Sequence, residues 1–222
     1  MVITEIRHLI RKEIILEWRN RHTLNGILLY LVSTIFICYL SIRTKQQQLE
    51  PGIWNTLFWI IILFSAINAV TKSFIQVGYG RMLYYYSIAS PEAVIMSKTI
   101  YNSILLIVIG LTGAVFYSIV LGNPVKNIPM FILGIILGSW GFASVLTLVS
   151  GIASKAANST ALMAILSFPI LLPQILIIIR VTDYAIDGQE WSLMWDEISV
   201  LSSLNIIALT MSYILFPYLW KN

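Results

Sequence analysis

Residues 128–150 read IPMFILGIILGSWGFASVLTLVS, without one Asp, Glu, Lys, Arg or His. Crossing the hydrocarbon core of a bilayer takes about 20 apolar residues at roughly 1.5 Å of rise each, so this run is long enough to span it as a helix. Five further runs of the same kind lie at about 26–42, 53–70, 101–121, 159–179 and 198–220. Composition agrees with this reading. Of 222 residues, 58% are hydrophobic and 11% charged, against about 25% charged in soluble domains. Such a chain cannot cover a water-facing surface, and the bilayer is the solvent that accepts it. The expected fold is an all-α membrane protein: six transmembrane helices preceded by an N-terminal interfacial amphipathic helix, forming one domain over residues 1–222.

The net charge is +4, but the basic residues fall between apolar runs instead of gathering on a polar face, which excludes a nucleic-acid patch. A single cysteine, Cys38, excludes a disulfide framework or a Cys-based metal site. Residues 1–21 are charged throughout, unlike the apolar core of a signal peptide. Within them Ile3, Ile6, Ile10 and Ile14 recur at helical spacing, with Leu9 and Trp18 near the same stripe, and Glu5, Arg7, Arg11, Lys12 and Glu17 on much of the remainder. That pattern predicts a helix lying in the membrane interface, its basic side toward anionic headgroups.

Basic residues resist translocation and mark the cytoplasmic side. Six spans put both termini on one side, together with Arg7, Arg11, Lys12, Arg19, Arg21, Lys72, Arg81, Lys98, Lys155 and Lys221; Arg43, Lys45, Lys126 and Arg180 fall opposite. The expectation is a multi-pass protein of a bacterial inner membrane with both termini cytoplasmic. The longest cytoplasmic connection, 71–100, contains Gly80, Arg81, Leu83, Tyr84 and Tyr85. Ser90-Pro91-Glu92 then reads as a helix start: Ser90 suits a cap, Pro91 the first helical position, and Glu92 the positive end of the dipole. A short helix, a break and a second helix leading into the third span would suit the docking of a cytoplasmic partner.

Gly134 and Gly138 form a G-x-x-x-G pair, with Gly141 close behind, which predicts close helix packing within the chain or between two copies. Pro169 and Pro173 should kink the fifth span. Trp191 and Trp195 in the outer loop, 180–198, suit anchoring at the headgroups. No ionisable residue falls at the centre of a span, where ion-coupled transporters hold one. No G-x-x-x-x-G-K-[ST] phosphate loop occurs, and the two histidines, His8 and His22, both lie near the N-terminus. The chain therefore has no catalytic constellation and no power source, and transport would draw on an ATPase supplied by another chain.

The layout resembles the type-2 ABC exporter permeases. Gly80, Leu83, Pro91 and Lys98 can be laid on that group's docking segment, with Tyr79 where an acidic residue is usual. Within the group the chain is similar to the CcmB family of cytochrome c maturation. The similarity rests on Arg11-Lys12-Glu13, Pro51-Gly52-Ile53-Trp54, the run from Ser90 to Lys98, and Leu166-Ser167-Phe168-Pro169-Ile170-Leu171-Leu172-Pro173. The resemblance implies a homodimeric permease, powered by ATP bound in CcmA-type subunits, beside CcmC- and CcmD-type membrane proteins and a CcmE-type haem chaperone. Haem would be cargo of the complex, or ATP hydrolysis would release the haem-loaded chaperone; no cofactor is expected in this chain. The alternatives are a type-2 permease for a lipid, polysaccharide or drug, and a membrane scaffold that transports nothing.

Overall fold

The computed structural model describes residues 2–19, 21–44, 49–75, 89–154 and 159–221. Seven helices appear among them: α1 Val2–Arg19, α2 Arg21–Thr44, α3 Pro51–Ile75, α4 Pro91–Leu121, α5 Ile128–Ala153, α6 Ser159–Asp187 and α7 Trp195–Lys221, with a 3-10 turn at Trp191–Met194. The six from α2 to α7 are each long and apolar enough to cross a membrane. Local chemistry sets several of their ends. Pro91 opens α4 after an extended Ser90, with Glu92 in the first turn. Asn127 caps α5, its Oδ1 accepting from the Met130 amide at 3.3 Å. Gly122, at φ +82°, and Gly188, at φ +73°, close α4 and α6 in backbone conformations that a side chain would strain.

Helix α5 is the centre of the bundle. It packs on α3, α4, α6 and α7, and every residue from Gly141 to Gly151 is buried. The edge helices α2 and α7 turn Leu28, Leu29, Phe36, Ile37, Ile206, Ile207 and Ile214 outward. Large apolar side chains on the outside, with polar ones within, is the arrangement a lipid solvent requires.

Small residues let α5 be central. A Cβ on Gly134 would lie 2.6 Å from Thr182 Cγ2, and one on Gly138 would lie 2.7 Å from the Trp59 ring. A Cβ on Gly141 would collide with the Gln174 and Asn205 amides. The glycine face of α5 is thus covered by α3, α6 and α7 of the same chain.

Several buried amide side chains pair across helices, while buried hydroxyls such as Ser65, Thr99 and Ser144 bond the backbone of their own helix, one turn back. Gln174 Nε2 donates to Asn205 Oδ1 at 2.7 Å, and Asn205 Nδ2 to the Leu137 carbonyl. Asn102 Nδ2 donates to Thr147 Oγ1 at 2.8 Å. Toward the end remote from α1, Trp59 Nε1 donates to Thr182 Oγ1, which donates to Asn55 Oδ1; Asn55 Nδ2 donates to Asp183 Oδ1 at 2.7 Å. Asn55 sits wholly buried at the mouth of α3, and hydropathy gives no sign of it.

The outer loop is shorter than expected over 180–198. Helix α6 continues to Asp187 and α7 begins at Trp195, so only Gly188–Glu190 and the 3-10 turn connect them. Hydropathy falls at Arg180, but the helix does not end there. Arg180, Asp183 and Asp187 follow one face at i, i+3 and i+7, while Val181, Thr182, Ala185 and Ile186 are buried on another. Trp191 and Trp195 are exposed on the turn, around a buried Met194.

Candidate functional site

The chemistry-bearing cluster lies where α1 meets the start of α4. In α1, Glu5, Leu9, Glu13 and Glu17 recur every four residues and so share one face. At the start of α4, Ser90 at its cap position, Val94 and Lys98 do the same, with Tyr101 one turn further on. The two rows run parallel and meet rung by rung.

Glu5 Oε2 accepts from both the Ser90 hydroxyl, at 2.9 Å, and the Ser90 amide, at 3.3 Å. Leu9 packs into a small apolar cluster with Val94, Ile95 and Phe216 of α7. Glu13 Oε1 stands 3.4 Å from Lys98 Nζ and 2.8 Å from Lys12 Nζ. Glu17 reaches the Tyr101 hydroxyl. Lys98 is only 4% exposed, and burying an ammonium costs several kcal/mol unless a counter-charge and hydrogen bonds offset it. Glu13 supplies that counter-charge. Burial pushes the Glu13 carboxyl up, but the Lys98 and Lys12 charges outweigh it and hold it below the usual carboxylate range.

Two expectations change at this site. The acidic row of α1 faces a neighbouring helix, while Arg7, His8 and Arg11 remain exposed on the other side. Ser90 occupies the cap position of α4, but its hydroxyl makes no cap and bonds Glu5 instead. Lys98 lies, as expected, on the helix that leads into the third span, and it is buried there where a carboxylate of α1 meets it. Pro91 and Glu92 stand at the start of that helix, whereas Gly80, Arg81, Leu83, Tyr84 and Tyr85 lie outside the described residues. The sequence signal for Glu5, Glu13 and Glu17 is their i+4 spacing with Leu9, visible only once a partner row at Ser90, Val94 and Lys98 is set beside it.

The other residues picked from sequence stand elsewhere. Gly134 and Gly138 lie in the core. Pro169 and Pro173 fall inside α6, a single helix through both, and are exposed on its outer side. Pro217 sits likewise inside α7.

Six apolar helices, one of them glycine-lined and central, with an amphipathic helix pinned against the start of α4, define a polytopic membrane domain of the permease type. Residues 4–218 match the family described as CcmB protein, and the chain belongs to that family. It is the permease component of the ABC haem exporter of cytochrome c maturation, and the ATPase of that system is a separate subunit, CcmA, with which it associates. No curated protein and no solved structure matches the chain.

Proposed function

We propose that the end of the bundle bearing α1 and the start of α4 faces the cytoplasm and receives CcmA through segment 71–100. The observation that carries this reading is the ladder from Glu5–Ser90 to Glu17–Tyr101, which fixes the segment's exit to a second helix. The charge distribution supports it: most Lys and Arg fall at that end. In this reading two copies of the chain pair in the membrane, each on one CcmA, beside CcmC- and CcmD-type proteins and the CcmE-type chaperone. ATP closes the CcmA pair, segment 71–100 takes up the motion around Gly80, Arg81, Leu83, Tyr84 and Tyr85, and α4 carries it into the bundle. Pro169 and Pro173 remove two helix-internal donors from α6, which makes it the helix that bends most easily.

Cysteine labelling tests the reading. On a Cys38→Ser background, Asn123→Cys is expected to react with a membrane-impermeant thiol reagent in intact spheroplasts, and Glu92→Cys is not. In inverted vesicles Glu92→Cys and Arg81→Cys are expected to cross-link to CcmA. Labelling of the reverse sense, or cross-links to CcmA only from Asn123→Cys, would overturn the orientation and the docking together.

A further inference from the structure

We infer that Glu5 and Glu13 of α1 are positioning residues for energy coupling: they lock the register of α1 against the first turns of α4, so that the two helices move as one unit. The inference rests on the reading that CcmA engages segment 71–100.

Attachment alone does not need carboxylates. The rung formed by Leu9, Val94, Ile95 and Phe216 already buries apolar surface between α1, α4 and α7. Apolar contact is non-directional, however, and tolerates sliding. The polar rungs do not. A slip of one turn, about 5.4 Å along the axis, would set Glu13 opposite Val94 or carry it beyond Lys98. It would also take Glu5 away from Ser90.

Two features of the structure favour register over simple adhesion. Ser90 holds the cap position of α4 but spends its hydroxyl on Glu5, and the same carboxylate oxygen also takes the Ser90 backbone amide. Glu5 thus grips the main chain at the point where segment 71–100 returns to the bundle. Two turns on, Lys98 is buried at the level where the Glu13 carboxylate of α1 meets it. The helix that receives the push is gripped at both levels by the helix that lies beside the membrane surface.

The test uses the full CcmA-containing complex in membranes, carrying Glu5→Leu, Glu13→Gln, or the exchange of Glu13→Lys with Lys98→Glu. Two quantities are read: CcmA retained by the permease, and mature c-type cytochrome formed per ATP hydrolysed. Each single variant is expected to retain CcmA while the yield per ATP falls about tenfold, a coupling loss of ordinary size. The exchange variant, which restores the ion pair reversed, is expected to recover most of that yield. Recovery by reversed charge, at constant CcmA binding, is a readout that simple helix adhesion would not give. Wild-type yield per ATP in both single variants overturns the inference and leaves CcmA docking intact. Should Glu13→Gln fail to accumulate, Glu5→Leu decides alone, because it removes the acceptor of both Ser90 bonds and Glu5 supports no buried cation. A wild-type complex in which CcmA makes no contact with segment 71–100 removes the reading and the inference together.

Discussion

Glu13→Leu is expected to destabilise the protein by about 3–5 kcal/mol, whereas Lys98→Met costs about 1 kcal/mol or less. The asymmetry follows from where each charge sits. Glu13 keeps Lys12 at 2.8 Å when Lys98 is removed, and its side chain retains some solvent, at 17% exposure. Lys98 is only 4% exposed, so removing Glu13 takes the offset from a buried ammonium. Replacing both residues at once should come out near neutral, because apolar side chains of similar size pack there without desolvation cost. Unfolding of the purified protein in mixed micelles, followed by circular dichroism, measures all three. Equal losses for the two single variants would show that Glu13 is not what offsets the burial of Lys98.

Gly138→Ala is the second large effect. The added Cβ would lie 2.7 Å from the Trp59 ring and 3.1 Å from Ile178 Cδ1. Trp59 is fully buried and cannot retreat without losing its bond to Thr182. Overpacking of this kind costs about 1–3 kcal/mol, and loss of the Trp59 bond adds roughly 0.6 kcal/mol, the typical value for a hydrogen bond between membrane helices. Gly26→Ala and Gly52→Ala are the controls, since a Cβ at either position meets nothing within 4 Å. Both should leave the same unfolding transition unchanged, and a loss at Gly26 comparable to that at Gly138 would mean that packing on α5 is not the cause.

The positions of the spans were legible because a bilayer imposes length and apolarity on every helix that crosses it. The run at 128–150 is charge-free for that reason, and α5 covers it. Where helix and membrane part company, the same signal fails. Arg180, Asp183 and Asp187 end an apolar run, but α6 continues because their spacing puts them on one helix face. Gly134 and Gly138 announced close packing but not which neighbour; the partners, Thr182 and Trp59, come from helices far away in sequence.

The contact between α1 and α4 was legible at Ser90-Pro91-Glu92, where proline chemistry marks a helix start, and at Lys98 as a charge at the membrane boundary. Its other half was not. Glu5, Glu13 and Glu17 look like the solvated face of an amphipathic helix until α4 is laid beside α1, because one chain's sequence records charge but not its partner. Asn55 was hidden for the same reason: a lone amide near the end of an apolar run gives no hint that it joins Trp59, Thr182 and Asp183.

A haem stain for c-type cytochromes is the most direct check on the role of this chain. It compares a strain lacking the gene with the same strain carrying it back, beside a CcmA with an inactivated ATP site. A permease of the CcmB family predicts that stained cytochromes vanish with the gene, return with it, and stay absent when CcmA cannot hydrolyse ATP. Normal staining without the gene, or restored staining beside the inactive ATPase, would contradict an ATP-driven role in cytochrome c maturation.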